Sequence, residues 1–315
     1  MANTDDAVLR VTGATKAFGS TVALAGVELA IARGEIYALI GHNGAGKTTL
    51  IKAISGRLRL DAGSVRILGR DVHKDPSARS LFGLVPQSIA LYDHLTPREN
   101  LEVLGRLSGV SAENIARTVE QALEVVSLSD RANDRTADLS GGMQRRLNIA
   151  AGTLHSPPLL LLDEPTVGVD LMAREGIHDM LRDLRRRGLA VLLTTHDLEQ
   201  AEELADRVGV IAEGRVLGEG DPAFLVREIF GDAKELILTL GHEPDADGLE
   251  FLADHGLQRA EGGTVWTGRL RGGFADLSDL GGRAAGAGLA VEELRVREPG
   301  LRGVFFRLTG SELSP

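Results

Sequence analysis

The sequence predicts an α/β fold in two parts. The first is a parallel-sheet domain over residues 1–220 with a helical subdomain inserted at about 88–138, and the second is a small α+β domain over 221–315. Three observations carry this expectation. From about Val8 to about Gly220, short β-branched or Leu-rich runs alternate with helical patterns, as they do where helices cover a parallel sheet. Strand signals fade between about Gln87 and Asp138. After Gly220 the order becomes strand, helix, strand, strand, helix, strand.

In the first part, "EIYALIGHN", "LLLLLDEP", "LAVLLTTH" and "RVGVIAEG" read as the best buried strands. Each ends at polar residues, and ligands in open α/β sheets gather at the carboxyl ends of strands. Within the insert, "TPRENLEVLGRLSG" and "SAENIARTVEQALEVVSL" have helical spacing, with Thr96 and Ser111 as N-caps. In the second part, "GDPAFLVREIFG" reads as a connecting helix, "KELILTL" as a strand and "DADGLEFLADHG" as a helix. A hairpin about Gly262–Gly263 joins "QRAEG" to "TVWTGRL", and the helix "GFADLSDLGGRAAGAG" and the strand "AVEELRVRE" follow. That succession is the ferredoxin-like split unit.

Composition excludes several classes of function. At 315 residues, with 43% apolar and 25% charged residues, the chain is long enough for a large core and a second domain. The net charge of -10 argues against a nucleic-acid-binding surface, and residues 221–315 carry 16 acidic against 10 basic side chains. The absence of cysteine rules out disulfides and thiolate metal sites. "MANTDDAVLR" does not read as a signal peptide, and no apolar run approaches the roughly 18 residues of a membrane span. If the protein acts on a membrane, another chain supplies the span.

"GHNGAGKTT" follows the strand "EIYALI" and precedes the helical "TLIKAISG", and it matches the pattern of a phosphate-binding loop. Gly41, Gly44 and Gly46 let the backbone turn so that N–H groups, including those of Asn43 and Ala45, point at phosphate oxygens. Lys47 supplies a positive charge to the outer phosphates, and Thr48, followed by Thr49, offers a hydroxyl to Mg²⁺. "LLLLLDEP" adds Asp163, placed to hold the Mg²⁺ shell, and Glu164, placed to orient or deprotonate an attacking water. Alone, such an acidic pair is as often an ordinary strand end; behind a phosphate loop it points to phosphoryl chemistry.

A second anion site lies in "LSGGMQRRL". Ser140, Gly141 and Gly142 stand at the start of a helix, where free N–H groups and the helix dipole hold an anion. With this stretch the sequence resembles the nucleotide-binding subunit of an ABC transporter over about Val8 to Gly220. The motifs stand in the family's order: the aromatic Phe18, the loop Gly41 to Thr49, Gln87, the signature Leu139 to Met143, the pair Asp163-Glu164, the turn ending at Asp170, and His196.

The resemblance implies a P-loop ABC ATPase domain that binds ATP and Mg²⁺. Two copies of the chain pair head to tail, so that Ser140, Gly141 and Gly142 of one close on the ATP held by the other. It further implies that Phe18 stacks on adenine, that Gln87 reaches Mg²⁺ or water and reports to the helical subdomain, that Asp170 serves the dimer contact, and that His196 senses the γ-phosphate. Two positions depart from the family pattern. Met143 stands where Gln is usual, which leaves any signalling by that side chain lost or passed to Gln144. His42 replaces a frequent Pro and is expected to turn its side chain away from the cradle.

"GGMQRRL", "LYDHLTPRENL" and "VREPGLRGVFFRLTG" further resemble the ATPase subunits of exporters of the daunorubicin-resistance and nodulation-factor group. In that group the multi-span permease is a separate polypeptide, which implies a peripheral position on the cytoplasmic face of the membrane. An importer subunit shares the chemistry with opposite direction. A soluble ABC ATPase that moves no solute is the reading from another class, and the single phosphate loop and the absence of a long coiled coil speak against it.

Overall fold

A long hairpin opens the chain. The computed structural model describes residues 7–260, 263–270 and 274–310, and the chain divides between Val216 and Leu217 into two units. In chain order the first unit runs β1 (Ala7–Phe18), β2 (Thr21–Ala32), β3 (Ile36–Ile40), α1 (Lys47–Ile54), β4 (Ala62–Ile67), β5 (Arg70–Asp71), β6 (Phe82–Val85), α2 (Pro97–Leu107), α3 (Ile115–Val125) and α4 (Gly141–Thr153). It continues through β7 (Leu159–Asp163), α5 (Leu171–Arg186), β8 (Ala190–Thr195), α6 (Leu198–Leu204) and β9 (Arg207–Ala212) to β10 (Arg215–Gly220), within which the division falls.

The central sheet has the order β10-β9-β3-β8-β7-β6, and its β9-β3-β8-β7-β6 pairs are parallel. Every residue of β3, β7 and β8 is buried, as the continuous apolar runs of a sheet covered on both faces require. The ends of β3, β7 and β8 come side by side: Ile40 pairs with Thr195, and Asp163 with Thr194. This register sets the phosphate loop, the acidic pair and His196 at one edge.

A second sheet, β2-β1-β4-β5, is antiparallel, and the sequence reading of a parallel-sheet domain did not include it. Its strands alternate imperfectly because β1 and β2 carry several register shifts, which blur the two-residue period of burial. Its inner side chains, among them Leu9, Val11, Leu29 and Ile31, join one core with Leu39, Leu50 and Leu161.

Between β6 and α4 the described chain forms α2, α3 and short turns. Thr96 caps α2 in a capping box: its hydroxyl accepts from Glu99 N (3.2 Å), and the Glu99 carboxylate accepts from Thr96 N (2.8 Å). Ser111 does not cap α3. The chain first turns through 112–114, so α3 begins at Ile115 behind Asn114, whose side-chain amide donates to Ser111 Oγ (3.0 Å). Fully buried Asn100 ties the insert together, accepting from Tyr92 N (2.8 Å) and donating to Tyr92 O, Thr96 O and Thr136 Oγ1.

The second unit runs α7 (Pro222–Phe230), β11 (Lys234–Leu240), α8 (Ala246–Asp254), β12 (Gln258–Arg259), β13 (Val265–Leu270), α9 (Phe274–Gly286), β14 (Val291–Arg297) and α10 (Leu301–Thr309). Its sheet is antiparallel in the order β12-β13-β11-β14. Leu236, Leu238, Leu252, Trp266, Leu280 and Leu289 lie in its core. Of the turn expected at Gly262–Gly263, Gly262 lies outside the described residues, while β12 and β13 pair on either side of it. Gly303 of α10 packs against Phe230 of α7, where a Cβ would stand 2.7 Å from the ring. Among the described residues no helix is long and apolar enough to cross a membrane.

Candidate functional site

The loop between β3 and α1 is shaped by glycines that tolerate no side chain. A Cβ on Gly41 would lie 2.4 Å from Ile211 O. Gly46, with φ of +112°, combines a left-handed backbone with a Cβ position 2.5 Å from Ala23 O. Lys47 therefore begins α1 with its side chain folded back over the loop. Its Nζ donates to Gly41 O (2.5 Å) and His42 O (3.2 Å) and stands 3.7 Å from Glu164 Oε1. Burial pushes the Lys47 pKa down, and the Glu164 carboxylate works against that shift.

A cleft of about 220 Å³ opens beside this loop. His42, Asn43, Gly44, Gly46, Lys47, Thr48, Thr49, Gln87, Glu164, Val167 and His196 line it. Residues from four separate stretches of sequence thus meet in one place. At its inner wall, Glu164 Oε2 lies 2.9 Å from His196 Nδ1. Glu164 adopts a left-handed backbone, φ +50°, which is uncommon for a residue with a side chain. Its N–H is held by Thr194, through the carbonyl (3.1 Å) and the hydroxyl (3.2 Å). The Thr194 hydroxyl donates to Asp163 Oδ1 (2.6 Å), so one threonine fixes both members of the acidic pair.

The remaining expected positions lie elsewhere. Ala45 is buried within the loop, its N–H donating to His42 O (3.1 Å). Phe18, at the end of β1, is half exposed with Lys16 Nζ 5.7 Å above its ring, and it is not among the residues lining the cleft. Ser140, Gly141 and Gly142 are also outside the cleft lining. Ser140 N-caps α4 by accepting from Met143 N (3.3 Å); it and Gly141 are exposed, whereas Gly142 is buried against Ala173. Asp170 N-caps α5, accepting from Ala173 N (3.0 Å). Gln144 turns its amide back to Thr136 O (2.9 Å).

Sequence reasoning missed Arg145. It is 2% exposed, and its guanidinium donates to Pro86 O (3.0 Å) and Glu164 O (2.9 Å), with burial pushing its pKa down. One signal was available: on a helix that begins at Gly141, Arg145 falls one turn after Gly142, on the face that packs inward.

Comparison with known proteins places this arrangement. A family model described as ABC transporter matches residues 24–167. The chain is 38% identical over 314 residues to a daunorubicin resistance ATP-binding protein of Streptomyces coeruleorubidus, spanning 98% of this chain and 97% of that protein. It is 39% identical over 305 residues to the Nod factor export ATP-binding protein I of a Rhizobium species (strain N33), spanning 96% of each. Among solved structures, a dimeric bacterial ABC transporter cassette matches 68% of this chain and 98% of its own with a TM-score of 0.61 and 28% identity. The chain belongs to the ABC transporter family, as one of its ATP-binding, ATP-hydrolysing subunits.

Proposed function

We propose that this protein drives an exporter by closing a head-to-tail pair of its own copies around two ATP molecules and reopening it on hydrolysis. The observation that carries this is the convergence of Lys47, Thr48, Gln87, Glu164 and His196 on one cleft, while Ser140 and Gly141 stay exposed at a helix N-terminus outside it. A cleft that holds the phosphates and a separate, solvent-facing anion site make two half-sites per chain. Two chains complete both. Likeness to Nod factor export and daunorubicin resistance ATP-binding proteins over nearly the whole length supports export.

In this reading the loop Gly41 to Thr49 wraps the phosphates, Lys47 neutralises the outer ones, and Phe18 stacks on the base. Thr48, Gln87 and Asp163 offer only oxygen donors, which suits an Mg²⁺ ion held mainly by phosphate and water. That ion, when bound, would stabilise the charge on the γ-phosphoryl group and on the departing ADP. Glu164 accepts the proton of the attacking water as it adds to the γ-phosphorus and ADP departs; His196, 2.9 Å from its carboxylate, holds that carboxylate and reaches toward the γ-phosphate. Asp170 orders the turn at the dimer contact. Met143 makes no contribution to the anion site, which Ser140 and backbone N–H groups provide.

The partner is a separately encoded multi-span permease reached through the helical subdomain, which places the protein at the cytoplasmic face of the membrane. The β-α-β-β-α-β order and the β12-β13-β11-β14 antiparallel sheet support a ferredoxin-like accessory domain over about residues 221–315. Affinity purification of the tagged chain from detergent-solubilised membranes tests the transport reading. A stoichiometric multi-span membrane protein is expected; recovery of the chain with ribosomes, DNA or no partner would leave the ATPase and remove the transporter.

A further inference from the structure

We infer that Arg145 is a positioning residue for hydrolysis, holding the peptides of Glu164 and of the Pro86–Gln87 bond in fixed relation to the signature helix α4. The inference rests on the role given above to Glu164.

A guanidinium buried to 2% exposure is costly unless its donors are satisfied. Among the described residues no carboxylate pairs with Arg145. Its charge meets two main-chain carbonyls instead, one from a residue 59 positions away and one from a residue 19 positions away. A structural arginine of ordinary kind would be matched by an acid. This one is spent on two loop peptides: one is that of Glu164, which lines the cleft, and the other joins Pro86 to Gln87, which lines it too.

The two carbonyls are not equivalent. Glu164 sits at φ +50°, a strained conformation for a residue with a side chain that persists only where its surroundings determine it. Its N–H is fixed by Thr194 and its C=O by Arg145 together with Val167 N (3.4 Å), so both main-chain polar groups are held, and with them the point from which its side chain departs toward His196. Pro86 O belongs to the peptide that leads into Gln87. Arg145 therefore joins the backbone of the water-activating residue, the backbone before Gln87, and a helix whose first turn carries Ser140 and Gly141. The planar fork of arginine can reach two carbonyls at once in a fixed geometry, which the point charge of lysine does not reproduce.

Steady-state ATPase kinetics of Arg145→Lys and Arg145→Gln, alone and each combined with Glu164→Gln, test this. Displacing a reacting group by an ångström costs on the order of 100-fold in rate, so kcat is expected to fall roughly 10- to 100-fold. KM for ATP should stay within about threefold, since phosphate binding is untouched. In the Glu164→Gln background the same substitutions should cost much less, about threefold or under, because the carboxylate they position is already gone and only the peptide before Gln87 is left to shift. Wild-type turnover in both Arg145 variants, a fall in ATP affinity that accounts for the lost rate, or full multiplication of the two losses would each overturn the inference. Failure of both variants to fold would assign Arg145 to stability and overturn it too. Undiminished turnover in Glu164→Gln alone is a different failure, that of the role given to Glu164.

Discussion

Lys47 and Glu164 form a buried pair of unlike charges, 3.7 Å apart, at the centre of the cleft. Burial pushes the Lys47 pKa down, and the neighbouring Glu164 carboxylate opposes that shift. Their substitutions should separate two functions. Glu164→Gln keeps the shape of the side chain and removes the proposed proton acceptor, so hydrolysis should fall about 10²- to 10⁴-fold while ATP still binds, as single-turnover assays and nucleotide titration would report. Lys47→Ala removes a charge-assisted contact to phosphate, so affinity for a fluorescent ATP analogue should weaken about 10- to 100-fold. Lys47 and Thr48 were legible in the sequence because the chemistry of a phosphate loop is contained in nine consecutive residues. Thr194 and Arg145 were not, because their partners, main-chain atoms and the Asp163 carboxylate, are brought close only by the pairing of β7 with β8 and by the packing of α4.

At the scale of elements, strands buried on both faces were readable from composition alone, and β3, β7, β8 and β9 fall where the apolar runs stand. The β1, β2 and β4 sheet was not. Its strands are only partly buried and carry register shifts, so neither a continuous run nor a clean alternation marks them. In the helical insert the cap at Thr96 was legible from its Glu99 partner three residues on, whereas Ser111 has the right residue type but is followed by a turn. What holds the insert is Asn100, four of whose hydrogen bonds join three stretches of chain. Replacing it with alanine removes all four and leaves the buried Thr136 hydroxyl without its donor, so Asn100→Ala should lower unfolding free energy by about 2–3 kcal/mol in urea titration. An unchanged midpoint would show that the insert is held by its apolar contacts instead.

Over the whole molecule, buried His178 and half-buried His155 link stability to pH. Burial pushes the pKa of His155 and of His178 below the ordinary 6.5, and at His178 the Glu203 carboxylate opposes the shift without cancelling it. Below pH 6.5 the unfolded chain therefore binds protons that the folded chain does not, and stability declines as the pH falls from 6.5 toward the lower folded-state values. Urea unfolding should show lower stability at about pH 5.5 than at about pH 7.5, and His178→Asn should remove part of that difference.

The pairing of two chains is the larger consequence. In the proposed head-to-tail pair each cleft contacts the outer phosphates from one side only, and Ser140 with Gly141, exposed at the start of α4, supplies the other side. Sedimentation velocity of Glu164→Gln, with and without ATP, addresses this directly. The expected result is a shift from one chain to two on addition of ATP, abolished by a further Ser140→Arg substitution that leaves ATP bound. A Glu164→Gln protein that binds ATP yet sediments as a single chain at every concentration would contradict the shared site.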